Sequence, residues 1–97
     1  MNNKILIFSA TYNEILNIDN FIKSINELNL PINILLIDDN SPDNTWKKIQ
    51  EYSKNKKNIH LIIRKKKEGL DTAHKMAYNY SITNNYDFLI TLDADMS

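Results

Sequence analysis

Two aspartates separated by one residue, Asp93 and Asp95, follow an apolar run from Phe88 to Leu92, and a second acidic pair, Asp38 and Asp39, follows another from Ile32 to Ile37. Carboxylates at the end of a buried strand are hard oxygen ligands of the kind that hold Mg²⁺ or Mn²⁺, and Mg²⁺ shares its shell between carboxylates and substrate phosphates. Alone, a D-x-D is a weak signal, because acids also end strands where a turn meets solvent. Asp38-Asp39-Asn40-Ser41-Pro42-Asp43 has, likewise, the composition of a turn followed by a helix cap. The two acidic pairs gain force only if one sheet edge carries both.

The elements that would put them there are legible as alternating short apolar runs and helical periodicities. A first strand is expected over 4–9 and a second over 32–37, nearly all β-branched or Leu, as suits a strand covered on both faces. Third and fourth strands are expected over 59–63 and 88–92. Between them, Ile18, Phe21, Ile22, Ile25 and Leu28 fall on one helical face, with Asn17 as N-cap and Pro31 beyond the end. A second helix, capped by Asp43 or Asn44, would present Trp46, Ile49 and Tyr52 to the core, and a third, after Gly69, would present Leu70, Ala73, Ala77 and Tyr80. Strands alternating with helices imply right-handed crossovers and a parallel sheet, a three-layer Rossmann-like sandwich. In such sheets ligands bind outside the carboxyl ends of the strands, where strand order reverses. The segments 10–14, 38–43 and 93–97 all belong at that edge.

Composition limits the function classes. The chain has 97 residues, one domain's worth, with 12 basic and 12 acidic residues and formal net charge +0. No global field favours nucleic acid. The absence of cysteine excludes a disulfide framework, thiolate metal sites and a cysteine nucleophile. No apolar run approaches the ~20 residues that span a bilayer, and the first residues do not resemble a signal peptide, so the chain reads as soluble and cytoplasmic. The many Asn, Lys and Ile residues read as a base-composition effect. Lys54, Lys56, Lys57, Arg64, Lys65, Lys66 and Lys67 flank the third strand and read first as a solvated surface, with Arg64 the member to test for contact with anionic lipid or donor phosphate.

Asp39, ending the second strand, stands where a dinucleotide-binding fold holds a ribose. Yet Gly69 is the only glycine, so neither G-x-G-x-x-G nor a P-loop exists to cradle phosphates with backbone N–H groups. A diphosphate would need positive charge from elsewhere, and a cation on Asp93 and Asp95 would supply it. No catalytic base stands out. His60 and His74 lie within a strand and a helix, and Ser9 and Ser41 lack a His partner for nucleophilic catalysis.

Ala10-Thr-Tyr-Asn-Glu14, Ile37-Asp-Asp-Asn-Ser-Pro-Asp43, Gly69-Leu70 with Thr72-Ala73, and Leu92-Asp-Ala-Asp-Met-Ser97 together resemble the ordered motifs of glycosyltransferase family 2. Within it, the dolichyl or polyprenyl phosphate mannose synthases are most similar. The resemblance implies the N-terminal part of a GT-A fold and metal-dependent transfer of a sugar from GDP-mannose or a UDP-sugar to a polyprenyl or dolichyl phosphate or a glycan. It further implies that Ala10, Tyr12 and Glu14 line the nucleotide pocket. Ile37 and Asp39 would meet base and ribose, and Asp93, Ala94, Asp95 and Ser97 would surround the diphosphate, with Asp93 and Asp95 on Mg²⁺ or Mn²⁺. Residues 1–97 would then form a single nucleotide-sugar-binding domain, the donor half alone, ending after the D-x-D motif and working at the cytoplasmic face of a membrane. Three departures from the family's pattern are Ala10 in place of a usual proline, Glu68 where a base is common, and Asp71 in place of a small residue. The last two add negative charge near the expected phosphates.

Two other readings stay open from sequence. A donor-binding chain without transfer activity would leave a sheet edge for self-association or a partner chain to cover. The runs ending at Asp39 and Asp93 also resemble the acidic pocket and phosphoacceptor strand of response-regulator receivers, although here a complete strand and helix precede the acidic pair.

Overall fold

A computed structural model describes residues 4–65 and 69–95. The order along the chain is β1 (Ile5–Thr11), α1 (Ile18–Asn26), β2 (Ile32–Asp38), α2 (Thr45–Asn55), β3 (Ile59–Ile63), α3 (Leu70–Thr83) and β4 (Phe88–Thr91). All strand pairings are parallel, in the sheet order β3-β2-β1-β4. The chain therefore winds outward through β1, β2 and β3, then crosses back over β1 to lay down β4. Because crossovers are right-handed, that reversal puts α3 on the opposite face from α1 and α2.

Side-chain parity along the strands divides the core to match. Ile7, Ile34 and Leu36 meet Ile18, Phe21, Ile22 and Ile25 of α1 and Ile49 of α2. Leu6, Phe8, Leu35 and Ile37 point the other way and meet Ala73 and Ala77 of α3. The two alanines let α3 lie close to the sheet, whereas α1 fills its interface with larger side chains. Complete burial of each Ile or Phe contributes about 1.5–3 kcal/mol. The three-layer α/β sandwich expected from sequence is the fold observed.

The elements depart from expectation where hydrogen bonds override local pattern. β1 runs on to Thr11 because its register with β2 extends to the Thr11–Asp38 pair. α1 ends at Asn26, and Leu28 is exposed beyond it. Asn17 occupies the N-cap position of α1 but makes no side-chain cap bond, its amide donating instead to Glu14 Oε2 at 2.8 Å. Asn44 takes the N-cap position of α2 without a side-chain cap, while Asp43 Oδ1 accepts the Thr45 N–H at 2.9 Å. Trp46 is only half-buried and belongs to neither core cluster, and Leu70 is exposed.

β4 is the largest departure, a partly covered edge strand in place of the buried one expected. It ends at Thr91, and Phe88, Ile90 and Leu92 are 52%, 42% and 38% exposed, because no helix among the described residues packs on that side of β4. Asparagine has a structural use that composition concealed. Among the described residues every non-glycine position with positive φ is an asparagine, Asn13, Asn29, Asn40, Asn44 and Asn85. Its short polar side chain tolerates the left-handed region that most residues avoid.

Candidate functional site

The β1–α1 and β2–α2 loops stand side by side at the carboxyl edge of the sheet and are bonded into one unit. Asp38, fully buried, accepts from Thr11 Oγ1 at 2.6 Å, Ser41 N at 2.9 Å and Ser41 Oγ at 2.7 Å. Ser41 Oγ, while donating to Asp38, accepts the Asn13 N–H at 2.9 Å. Thr45 Oγ1 repeats the pattern, donating to Asp43 Oδ1 and accepting the Glu14 N–H at 3.0 Å. Asp43 Oδ2 takes the next N–H, that of Ile15, at 3.2 Å. Three consecutive backbone donors of the first loop are thereby committed to side chains of the second. This loop does not cradle a phosphate with those N–H groups; it is itself held, with Tyr12 and Glu14 at its outer side.

The electrostatics of the latch follow from its bonds. Burial pushes the Asp43 carboxyl up, but bonds from the Thr45 hydroxyl and the Thr45 and Ile15 N–H groups outweigh it and hold the carboxyl below its ordinary value. Farther along the same face, Asp19 is lowered by its bonds from Lys48 and the Tyr52 hydroxyl, and Tyr52 is raised by that contact with Asp19.

Asp39 follows Asp38 but faces the opposite side of the sheet. Its carboxylate takes a two-pronged bond from Arg64, with Nε to Oδ1 at 2.5 Å and Nη2 to Oδ2 at 2.8 Å. Both are largely buried, Arg64 at 5% exposure and Asp39 at 8%. Arg64 lies just past β3 and also reaches Thr72 Oγ1 at 2.6 Å and the Gly69 carbonyl at 3.1 Å. The end of β2, the end of β3 and the start of α3 thus meet on one guanidinium. The basic stretch around β3 is therefore not one surface. Lys54, Lys56, Lys57 and Lys65 are exposed, Arg64 is interior, and Lys66 and Lys67 lie outside the described residues, as does Glu68.

A cleft of about 200 Å³ opens over this pair, lined by Ala10, Thr11, Tyr12, Glu14, Asp39, Arg64, Gly69 and Leu70. Four of the expected nucleotide-contacting residues line it: Ala10, Tyr12, Glu14 and Asp39. Ile37 does not, since its side chain is fully buried in the α3-side core. A larger cleft of about 630 Å³ lies between α1 and α2, lined by residues such as Asp19, Lys23, Tyr52 and Lys56, and it holds none of the expected site residues. Chemistry, and not volume, selects the smaller one.

Asp93, Ala94 and Asp95 lie beside β1 at the same sheet edge, where the Leu92 N–H bonds to the Phe8 carbonyl at 3.0 Å. Ala94 is buried against the α1-side core while Asp93 and Asp95 are exposed, so the turn is anchored by its middle residue. Ser97 lies outside the described residues. Among the described residues no three of His, Asp and Glu converge as a complete metal cage. Two exposed carboxylates at a switch point nevertheless fit a cation that completes its shell with substrate oxygens.

Ser9 is buried and the Ser41 hydroxyl is committed to Asp38, so neither is an accessible nucleophile. His60 bonds Asn33 Oδ1 at 3.1 Å, and burial, with a smaller contribution from Lys4, lowers its pKa. His74 sets its ring edge-on to Phe8 with centroids 5.3 Å apart. Both histidines serve packing.

Glycosyl transferase family 2 matches residues 6–97. The chain belongs to this family. Its relatives include the undecaprenyl-phosphate mannosyltransferase of Micrococcus luteus, 28% identical over 97% of this chain and 39% of that protein. The dolichol-phosphate mannosyltransferase of Pyrococcus furiosus is 33% identical over 96% of this chain and 26% of its own length. Among solved structures, the mannosyltransferase PcManGT from Pyrobaculum calidifontis, in complex with GDP-Man and Mn²⁺, superposes with a TM-score of 0.83 at 19% identity, covering 98% of this chain and 28% of the other. That likeness shows the fold, the α/β sandwich of a GT-A glycosyltransferase. The family 2 chain thus spans between about a quarter and two-fifths of the length of these relatives. Family membership takes the place of the receiver resemblance.

Thr11, Ser41, Thr45 and the pinning of Asp39 by Arg64 were not read from the sequence as parts of the site. Two signals were available. Polar acceptors recur at Asp38, Ser41, Asp43 and Thr45, more than one helix cap requires, and Arg64 is the sole arginine in a lysine-rich chain. Arginine's planar fork suits a buried carboxylate in a way that lysine does not.

Proposed function

We propose that residues 1–97 form a nucleotide-sugar-binding domain whose cleft takes the nucleoside of a GDP-mannose or UDP-sugar donor, and that Asp93 and Asp95 hold a Mg²⁺ or Mn²⁺ ion on its diphosphate. The observation that carries this reading is the cleft itself. It stands at the carboxyl ends of β1, β2 and β3, with the D-x-D turn ending β4 across the strand-order reversal. The polyprenol- and dolichol-phosphate mannosyltransferase names of the relatives, and the GDP-Man and Mn²⁺ bound by PcManGT, support the donor and the metal.

The chain's own residues divide the work. Tyr12, exposed at the cleft, offers a ring face to a base, and the carboxylates of Glu14 and Asp39 accept from ribose hydroxyls or base N–H groups. With the Asn13, Glu14 and Ile15 N–H groups engaged by Ser41, Thr45 and Asp43, charge compensation at the diphosphate falls to the cation, which would stabilise the departing nucleoside diphosphate. A polyprenyl phosphate acceptor is already ionised at neutral pH and needs little help from a base. The acceptor class would place the protein at a membrane surface; no helix among the described residues is long and apolar enough to cross one.

Calorimetry with GDP and UDP, with Mn²⁺ and then with chelator, tests the donor reading. Binding is expected with metal and should weaken sharply in chelator, and Asp93→Asn or Asp95→Asn should abolish most of that difference. Equal affinities with and without metal would remove the cation from the scheme. A second reading is donor binding by these residues without transfer. Sugar transfer to a polyprenyl phosphate by the purified 97-residue chain would exclude it.

A further inference from the structure

We propose that Arg64 is a positioning residue for donor recognition. It fixes the Asp39 carboxylate in the cleft, neutralised and oriented, and does not bind the diphosphate itself. The inference rests on the donor reading of the cleft and goes beyond it by separating two residues that line the same wall.

The register of the sheet makes the pair. Ile63 is level with Asp38, and the Arg64 N–H bonds to the Asp38 carbonyl at 2.8 Å, so Arg64 and Asp39 emerge side by side on the α3 face. The guanidinium is then nearly fully committed. Nε and one Nη2 hydrogen go to Asp39, the other Nη2 hydrogen to the Gly69 carbonyl, and one Nη1 hydrogen to Thr72 Oγ1. Since arginine has five N–H donors, little capacity is left for phosphate oxygens. Asp39, by contrast, keeps acceptor capacity, because each carboxylate oxygen can take a second bond. What the cleft offers a ligand is therefore an oriented acceptor that suits ribose hydroxyls or the N–H groups of a base.

Charge points the same way. A buried, uncompensated carboxylate would repel a nucleoside diphosphate strongly, since Coulomb interactions grow as the local dielectric falls. With Arg64 on both oxygens the pair is neutral, and Asp39 can face the nucleoside without that repulsion. Through Gly69 and Thr72 the same guanidinium ties the first turn of α3 to the sheet, fixing the wall that carries Leu70.

The test is calorimetry on the 97-residue chain with two probes, guanosine and GDP, each with Mn²⁺ and with chelator. Arg64→Ala should weaken both probes, guanosine by about tenfold or more, as expected when a charged hydrogen-bond network loses one partner, and GDP somewhat further, because Asp39 is then an uncompensated charge. The ratio between GDP affinity with Mn²⁺ and in chelator should stay at the wild-type value. Arg64→Lys should recover part of the loss for both probes, because one ammonium replaces only part of the fork. If Arg64→Ala does not fold by circular dichroism, Arg64→Lys and Thr72→Val carry the test, with smaller losses that are equal for the two probes because both variants keep the positive charge beside Asp39. A loss confined to GDP would make Arg64 a diphosphate contact and overturn the proposal, as would unchanged affinity for both. Wild-type protein that binds neither probe would instead refute the donor reading on which the proposal rests.

Discussion

Two strand ends carry two aspartates each, and the fold treats them in opposite ways. At the end of β2, Asp38 and Asp39 are buried and engaged, one by Thr11 and Ser41, the other by Arg64. At the end of β4, Asp93 and Asp95 are exposed, and the residue between them is the one the core takes in. β2 lies between β1 and β3 with helices on both faces, so an acid there needs internal partners, because an isolated buried charge is prohibitively unfavourable. β4 is an edge strand with a face that no helix among the described residues covers, and the aspartates that follow it are exposed. Residue type is the same at both ends; the surrounding layers decide which acids are buried and partnered and which are exposed.

The sharpest way to break this comparison is by substitution in the two regions. Phe21→Ala, in the α1-side core, should cost about 3–5 kcal/mol in urea unfolding, whereas Phe88→Ala, on the uncovered face of β4, should cost well under half of that. Near-equal losses would mean that β4 is covered in solution. Next in size, Asp38→Ala removes the acceptor of three hydrogen bonds and should destabilise by about 3 kcal/mol. Asp93→Ala should stay within about 0.5 kcal/mol of wild type, the range of exposed sites. A large stability loss at Asp93 would contradict its assignment to ligand binding.

The latch between the loops gives a smaller, pH-dependent effect. Asp43 has a folded pKa held below its ordinary value of 3.8, so its contribution is complete above that value and is lost as pH falls through the folded one. Asp19, lowered by Lys48 and Tyr52, acts in the same direction. Unfolding measured from pH 6 down to pH 2 should therefore show a shallower acid slope for Asp43→Asn than for wild type; identical slopes would remove the latch from the ledger. The smallest effect belongs to His60. Its folded pKa lies below the ordinary 6.5, so the unfolded chain takes up the proton first and stability declines as pH drops below that value. His60→Gln should flatten this part of the profile.

The family motifs and the element types were legible because they are local. Ile18, Phe21, Ile22 and Ile25 announce α1 by spacing alone, and the β-branched run of β2 announces a covered strand. The first loop and the D-x-D turn could be assigned to one sheet edge from the alternation of elements. The latch and the Arg64–Asp39 pair were not legible, because their partners lie 25–31 residues apart and meet only once strand register is set. The exposure of β4 was missed for the opposite reason: its apolar residues are those of a buried strand, and nothing in the run itself says that one face has no helix over it among the described residues.

By itself, then, the sequence determined an α/β chain of family 2, with four apolar strands, three helices and an acidic pair after each of two strands, since each of those features depends on neighbours a few residues away. Tertiary structure alone decided that Asp38 supports a loop while Asp39 faces a cleft, that Arg64 leaves the basic surface for the interior, and that Ala94 anchors a turn between two exposed aspartates. Those outcomes follow from which side of the sheet a side chain emerges on and which helix lies over it, and both are fixed only when β4 returns past β1.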